Sequence, residues 1–152
     1  MSIIIKKSRM SILSIILVLI QISSIGYLII SDEFISSDPI IITVQVIGTL
    51  LLIWSMVVMR FRVNVFPEVL TGSKLVTEGP YFMIRHPMYL SLIILAVSFL
   101  MINFNIVRFI VFIIFIINLW VKIMYEEKQL EKEFQDYGHY KKRTKALIPF
   151  VI

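Results

Sequence analysis

At 152 residues the chain has the length of one modest domain, yet 59% of its side chains are hydrophobic and its mean hydropathy is +0.92, more apolar surface than a soluble core of this size can bury. Its net charge of +5 comes without a basic face interleaved with aromatics, which argues against nucleic-acid binding, and places the interest in lipid headgroups and topology. Cysteine is absent, which excludes disulfides, a thiolate nucleophile, Cys-ligated zinc and iron–sulfur chemistry.

The first apolar run, residues 10–30, follows Lys6, Lys7 and Arg9 as a signal peptide would. It is longer than a signal core and no small-residue cleavage pair follows cleanly, so a retained membrane helix is expected. The second run, residues 40–59, is announced by Asp38 and Pro39, a side-chain cap followed by a proline suited to the first helical turn. A third run covers 87–102 and a fourth 106–124, with only Asn103-Phe104-Asn105 between them, which predicts a tight antiparallel hairpin. From Met124 to Tyr140 the chain turns polar but keeps Leu130, Phe134 and Tyr137 at helical spacing, so the fourth helix is expected to extend beyond the membrane. The fold class is therefore all-α: one domain over residues 1–152, a polytopic membrane bundle of about four transmembrane helices with a cytoplasmic C-terminal helical extension.

Charge orients it. Lys6, Lys7, Arg9, Arg60, Arg62, Lys74, Arg85, Lys122 and the basic residues from Lys128 to Lys145 fall on one side, and only Arg108 falls near the other, where Asp32, Glu33 and Asp38 cluster. This asymmetry predicts both termini, and the loop from Arg60 to His86, on the cytoplasmic face.

Two segments carry chemistry. In the loop, Lys74-Leu75-Val76 leads to Gly79-Pro80-Tyr81, and Arg85-His86-Pro87-Met88-Tyr89 opens the third helix. Gly79 permits unusual backbone angles, Pro80 fixes the next turn and Pro87 suits a helix start. Arg85 and His86 consequently stand ahead of a helix N-terminus, where free N–H groups and a guanidinium suit a carboxylate or phosphate. After the fourth helix, Glu126 and Glu127 stand at the membrane boundary, where carboxylates are costly without a cationic partner. Lys122, four residues earlier on the same helical face, could satisfy Glu126 itself. With only His86 and His139 available, any metal centre would lean on carboxylates, and a metal-free site is expected.

The spacing Gly-Pro-Tyr, three residues, Arg-His-Pro, one residue, Tyr resembles the signature of the isoprenylcysteine carboxyl methyltransferases and related phospholipid methyltransferases. The resemblance continues through the Glu126–Glu127 pair, Leu130, Phe134, Tyr137, Tyr140, the Lys141-Lys142-Arg143 cluster and Pro149, so that it covers about residues 73–149. It implies an integral membrane enzyme that transfers a methyl group from S-adenosylmethionine, yielding S-adenosylhomocysteine, without a Rossmann-type domain. By the resemblance, Lys74, Leu75, Val76 and Tyr81 line the cofactor pocket, Arg85, His86, Pro87 and Met88 hold the cofactor's amino-acid or nucleoside portion, and Glu126 and Glu127 close it. Lys122 falls where the carboxyl methyltransferases carry a substrate-associated arginine, and a point charge in place of a planar fork puts an isoprenylcysteine-type acceptor in question. The implied partners are the bilayer and a lipophilic or prenylated acceptor. A carboxylate acceptor needs no general base, whereas an amine must lose a proton, to Glu126, Glu127 or His86. A membrane reductase taking NADPH and a non-enzymatic membrane scaffold are the alternatives.

Overall fold

The computed structural model describes residues 11–30, 36–61, 64–67 and 74–147, and among these the regular structure is entirely helical. Helices occupy each of the four apolar runs: α1 (Ile12–Ile30), α2 (Pro39–Val58), α3 (Pro87–Ile102) and α4 (Ile106–Glu133), followed by a short α5 (Tyr137–Arg143). α1, α2 and α4 are long and apolar enough to cross a membrane, whereas α3 has 16 residues. At 1.5 Å per residue α3 reaches about 24 Å against a hydrocarbon layer of about 30 Å. The protein is thus an integral membrane bundle with one short helix, whose N-terminus carries the loop motif.

Local chemistry sets the helix ends. The Asp38 carboxylate accepts from the Ile40 N–H at 2.8 Å with Pro39 opening α2, and the Asn105 side chain accepts from the Arg108 N–H at 3.0 Å to start α4. α2 closes with the Phe61 N–H donating to the Met56 carbonyl and the Arg60 N–H to the Val57 carbonyl, both at 2.8 Å. This wrap holds Arg60 and Phe61 at φ of 53° and 56°, the left-handed region, without a glycine.

α2 packs chiefly against α3 and α1 against α4, and the two pairs meet through α3. A Cβ at Gly48 would lie 3.0 Å from Leu95 Cγ, so the glycine lets α2 and α3 close on each other. Leu28, Ala96, Phe99, Phe115 and Leu119 form the buried core, while Leu19, Leu50, Trp54 and Ile117 face outward, as a bilayer requires. Arg108, in the first turn of α4, is 1% exposed, and its Nη2 donates to the Leu28 and Phe99 carbonyls, tying the ends of α1 and α3 to the start of α4.

The polar extension of α4 is shorter than the sequence predicts. It continues to Glu133 and breaks at Phe134, whose extended backbone (φ −116°, ψ 115°) ends the helix with an N–H donated to the Leu130 carbonyl. The physical reason is burial: α5 doubles back and places Tyr137 and Tyr140 at 1% and 4% exposure. A straight helix would have carried them away from the loop. Ile148 and Pro149, the end of the tail motif, lie outside the described residues, as do Met10 and the basic residues ahead of it.

Candidate functional site

The loop motif is shaped by its contact with α2. Gly79 has φ of +59°, and a Cβ there would come within 2.8 Å of Val58 Cγ2, so both backbone and packing demand glycine. Residues Gly79–Phe82 form a single 3-10 turn, which buries Pro80 and Tyr81. The chain then runs extended to His86, the cap of α3, with Pro87 in the first helical turn.

The tail returns to this extended stretch. Ile84 and Lys145 form a parallel bridge, the Arg85 N–H donates to the Lys145 carbonyl at 2.8 Å, and the His86 N–H donates to the Ala146 carbonyl at 3.0 Å. The Tyr140 hydroxyl donates to the Tyr81 carbonyl at 2.6 Å. Burial, against the pull of Arg85 and helped by Glu127, pushes the Tyr140 phenol up to about 12, so it stays a donor.

Side chains from both segments converge on the α4 extension, beyond its apolar stretch. Arg85 donates from Nε to Glu127 at 2.7 Å and from Nη1 to the Lys141 and Thr144 carbonyls at 3.2 and 2.5 Å. His86, 4% exposed, stands with Nε2 3.3 Å from Glu127 Oε1 and Nδ1 3.8 Å from Glu126 Oε2. Lys141 bridges Glu127 and Glu131 at 2.8 Å each. Burial alone would raise the Glu127 carboxyl, but hydrogen bonds from His86, Lys141 and Arg85 outweigh it and hold the group well below the usual carboxylate range. The same bonds raise Lys141 above its ordinary value, through Glu127 first and Glu131 second. Glu126 is more open, and accepts from the Tyr89 hydroxyl at 2.8 Å. The Tyr89 ring stacks on His86 with centroids 5.5 Å apart.

Arg85, His86, Glu126 and Glu127 thus meet in one cluster. Lys122 does not pair with Glu126 among the described residues: its ammonium donates to Gln21 Oε1 and the Val65 carbonyl and stands 5.5 Å over the Tyr89 ring. Tyr81 is buried behind the cluster, Pro87 is buried at the helix start, and Met88 is half-buried beside it. Of Lys74, Leu75 and Val76, only Leu75 lines the groove of about 990 Å³ between the loop and the α4–α5 corner, with Thr77, Phe134, His139 and Tyr140 among the other walls. Gln21 joins the constellation without having been singled out in the sequence, and Tyr89 and Lys141, quoted there as motif members with no role given, join it as well. Gln21 had a signal, since a lone amide inside an apolar helix invites explanation; Lys141 looked like any member of a basic run.

The cluster sets two carboxylates at the end of the apolar stretch of α4, and none of its four side chains lines the groove, which lies nearer the α4–α5 corner. Among the described residues no three His, Asp or Glu side chains gather as metal ligands would. A family model described as the isoprenylcysteine carboxyl methyltransferase family matches residues 40–132, more than half of the chain. The match runs from α2 almost to the end of α4, including the Arg-His-Pro loop and both glutamates, and leaves α1 and α5 outside. No curated protein and no solved structure matches the chain.

Proposed function

This chain belongs to the isoprenylcysteine carboxyl methyltransferase family and is a membrane methyltransferase, and on that premise we propose that it moves the methyl group of S-adenosylmethionine to a lipophilic acceptor. The observation that carries this proposal is the convergence of Arg85, His86, Glu126 and Glu127, drawn from two distant segments, into one cluster. When bound, the cofactor supplies a methyl carbon activated by a positively charged sulfur. Glu126, the more open of the two carboxylates, offers that positive charge a partner, and Leu75, Phe134 and Tyr140 in the neighbouring groove offer an apolar wall for the base. Arg85 is spent on Glu127 and two tail carbonyls, so it acts chiefly by fixing the carboxylate and the strap over the loop.

Alignment and exclusion of water are the enzyme's main contributions to such an in-line displacement. A carboxylate acceptor requires no base. For an amine acceptor Glu126 is the base, because Glu127 is held ionised by three donors and both ring nitrogens of His86 face carboxylates. The charge bias supports a cytoplasmic site, where the cofactor is supplied, while the acceptor reaches it laterally from the bilayer past Lys122.

Calorimetric titration of the purified protein in nanodiscs tests the proposal. S-adenosylmethionine and S-adenosylhomocysteine bind, NADPH does not, and Arg85→Ala and Glu127→Ala each weaken binding more than Glu131→Ala. Binding of NADPH alone, or equal effects of the three substitutions, contradicts it.

A further inference from the structure

The turn that opens at Gly79 lies against the end of a membrane helix. A Cβ on Gly79 would come 2.8 Å from Val58 Cγ2 and 3.4 Å from Trp54 Nε1, so residues Gly79–Phe82 sit level with the last turn of α2. Trp54 is 55% exposed, and an indole near the end of a span marks the height of the lipid headgroups. Phe82 and Met83, which leave the turn at that height, are 73% and 51% exposed. Adjacent apolar side chains this open, outside the membrane helices, suit lipid better than water. Cations stand beside them. The Lys145 N–H donates to the Met83 carbonyl at 3.4 Å, and the Tyr140 hydroxyl holds α5 to the same turn through the Tyr81 carbonyl. Lys142, Arg143 and Lys145, all exposed, therefore lie within a few residues of the point where the tail meets Met83. Lys141 pairs with Glu127 and Glu131, but no ion pair joins the other three to an acidic side chain among the described residues, Glu133 and Asp136 on the nearby groove included.

We propose that this corner binds the anionic headgroups of the bilayer: Phe82 and Met83 enter the interface, Lys142, Arg143 and Lys145 meet lipid phosphates, and membrane charge thereby holds the tail strap closed on the loop. Charge complementarity selects the partner, since apolar side chains flanked by uncompensated cations are matched by an anionic lipid surface better than by a zwitterionic one. The strap lies between these contacts and the site. The Lys145 and Ala146 carbonyls accept from the Arg85 and His86 N–H groups, and the Lys141 and Thr144 carbonyls accept from the Arg85 guanidinium, whose Nε donates to Glu127. Pinning the three cations restrains the carbonyls that fix Arg85. This lipid contact goes beyond the methyl-transfer reading and does not depend on it.

Hydrogen–deuterium exchange of the Arg85 and His86 amides is followed by NMR in the full chain, in nanodiscs of phosphatidylcholine and of phosphatidylcholine with about 30% phosphatidylglycerol. The Arg60 and Phe61 amides, bonded within the wrap of α2, correct for the lower surface pH over anionic lipid. After that correction the strap-bonded amides exchange about tenfold more slowly in the anionic discs, a fraction of what three basic residues gain at an anionic surface, and high salt shrinks the difference. Replacing Lys142, Arg143 and Lys145 together by glutamine removes it, and Lys145→Gln alone removes a part. Equal exchange in the two lipids, a slowing that Arg60 and Phe61 share, or one that survives the triple replacement overturns the proposal. Slowing by inorganic phosphate added to the phosphatidylcholine discs overturns it too, because the corner would then be a soluble-anion site and not a lipid surface.

Discussion

Glu127 accepts from Arg85, His86 and Lys141 at once, and this has a definite consequence for pH. Its folded-state pKa lies below its ordinary value near 4.5, so the stabilisation is complete above about pH 4.5 and fades as pH falls toward the folded value. Glu127→Gln should lower stability by about 2 kcal/mol at neutral pH, and flatten the acid limb of a thermal-unfolding series. An unchanged acid limb would show that the carboxylate does not carry this linkage. The two tail tyrosines make a sharper contrast. The Tyr137 hydroxyl is buried with no hydrogen-bond partner among the described residues, whereas that of Tyr140 bonds the Tyr81 carbonyl. Tyr137→Phe is therefore neutral or stabilising, and Tyr140→Phe costs about 1 kcal/mol, measured by the same unfolding assay. At this scale Glu126 and Glu127 were legible in the sequence because carboxylates at a membrane edge demand partners. The contacts of Tyr89 and Lys141 were not, although both stand in the motifs, because a tyrosine in a helix start and a lysine in a basic run have ordinary uses, and only the folded tail brings Lys141 to Glu127.

The helices themselves were written plainly in the apolar runs, in Asp38–Pro39 and in Asn105, where capping chemistry is local. The break at Phe134 was hidden by its own periodicity: Phe134, Tyr137 and Tyr140 keep a three-residue step whether the helix continues or restarts. What ends α4 is a long-range demand, the burial of Tyr137 and Tyr140 against the loop. The wrap at the end of α2 is equally silent in sequence, since Arg60 and Phe61 occupy positions where glycine is usual. Arg60→Gly should accordingly raise stability by about 1 kcal/mol by relieving one left-handed side chain. A drop in the unfolding temperature would mean that the arginine makes a compensating contact worth more than the strain.

Across the whole molecule, α1 with α4 and α2 with α3 form two pairs, and the cluster lies where the loop beyond α2, the start of α3, the α4 extension and the tail meet. The charge bias predicts that end on the cytoplasmic face, a topology that the chain's lack of cysteine makes simple to test. Ser36→Cys, between α1 and α2, reacts with an impermeant maleimide only from the non-cytoplasmic side. Labelling from the cytoplasmic side alone would invert the orientation. The central claim, methyl transfer to a lipophilic acceptor, is tested most directly by incubating membranes with S-adenosylmethionine carrying a trideuterated methyl group and searching the lipid extract by mass spectrometry. The wild-type protein should yield a labelled lipophilic product that Glu127→Ala membranes lack. A folded wild-type protein that yields no more labelled lipid than the variant would contradict the account.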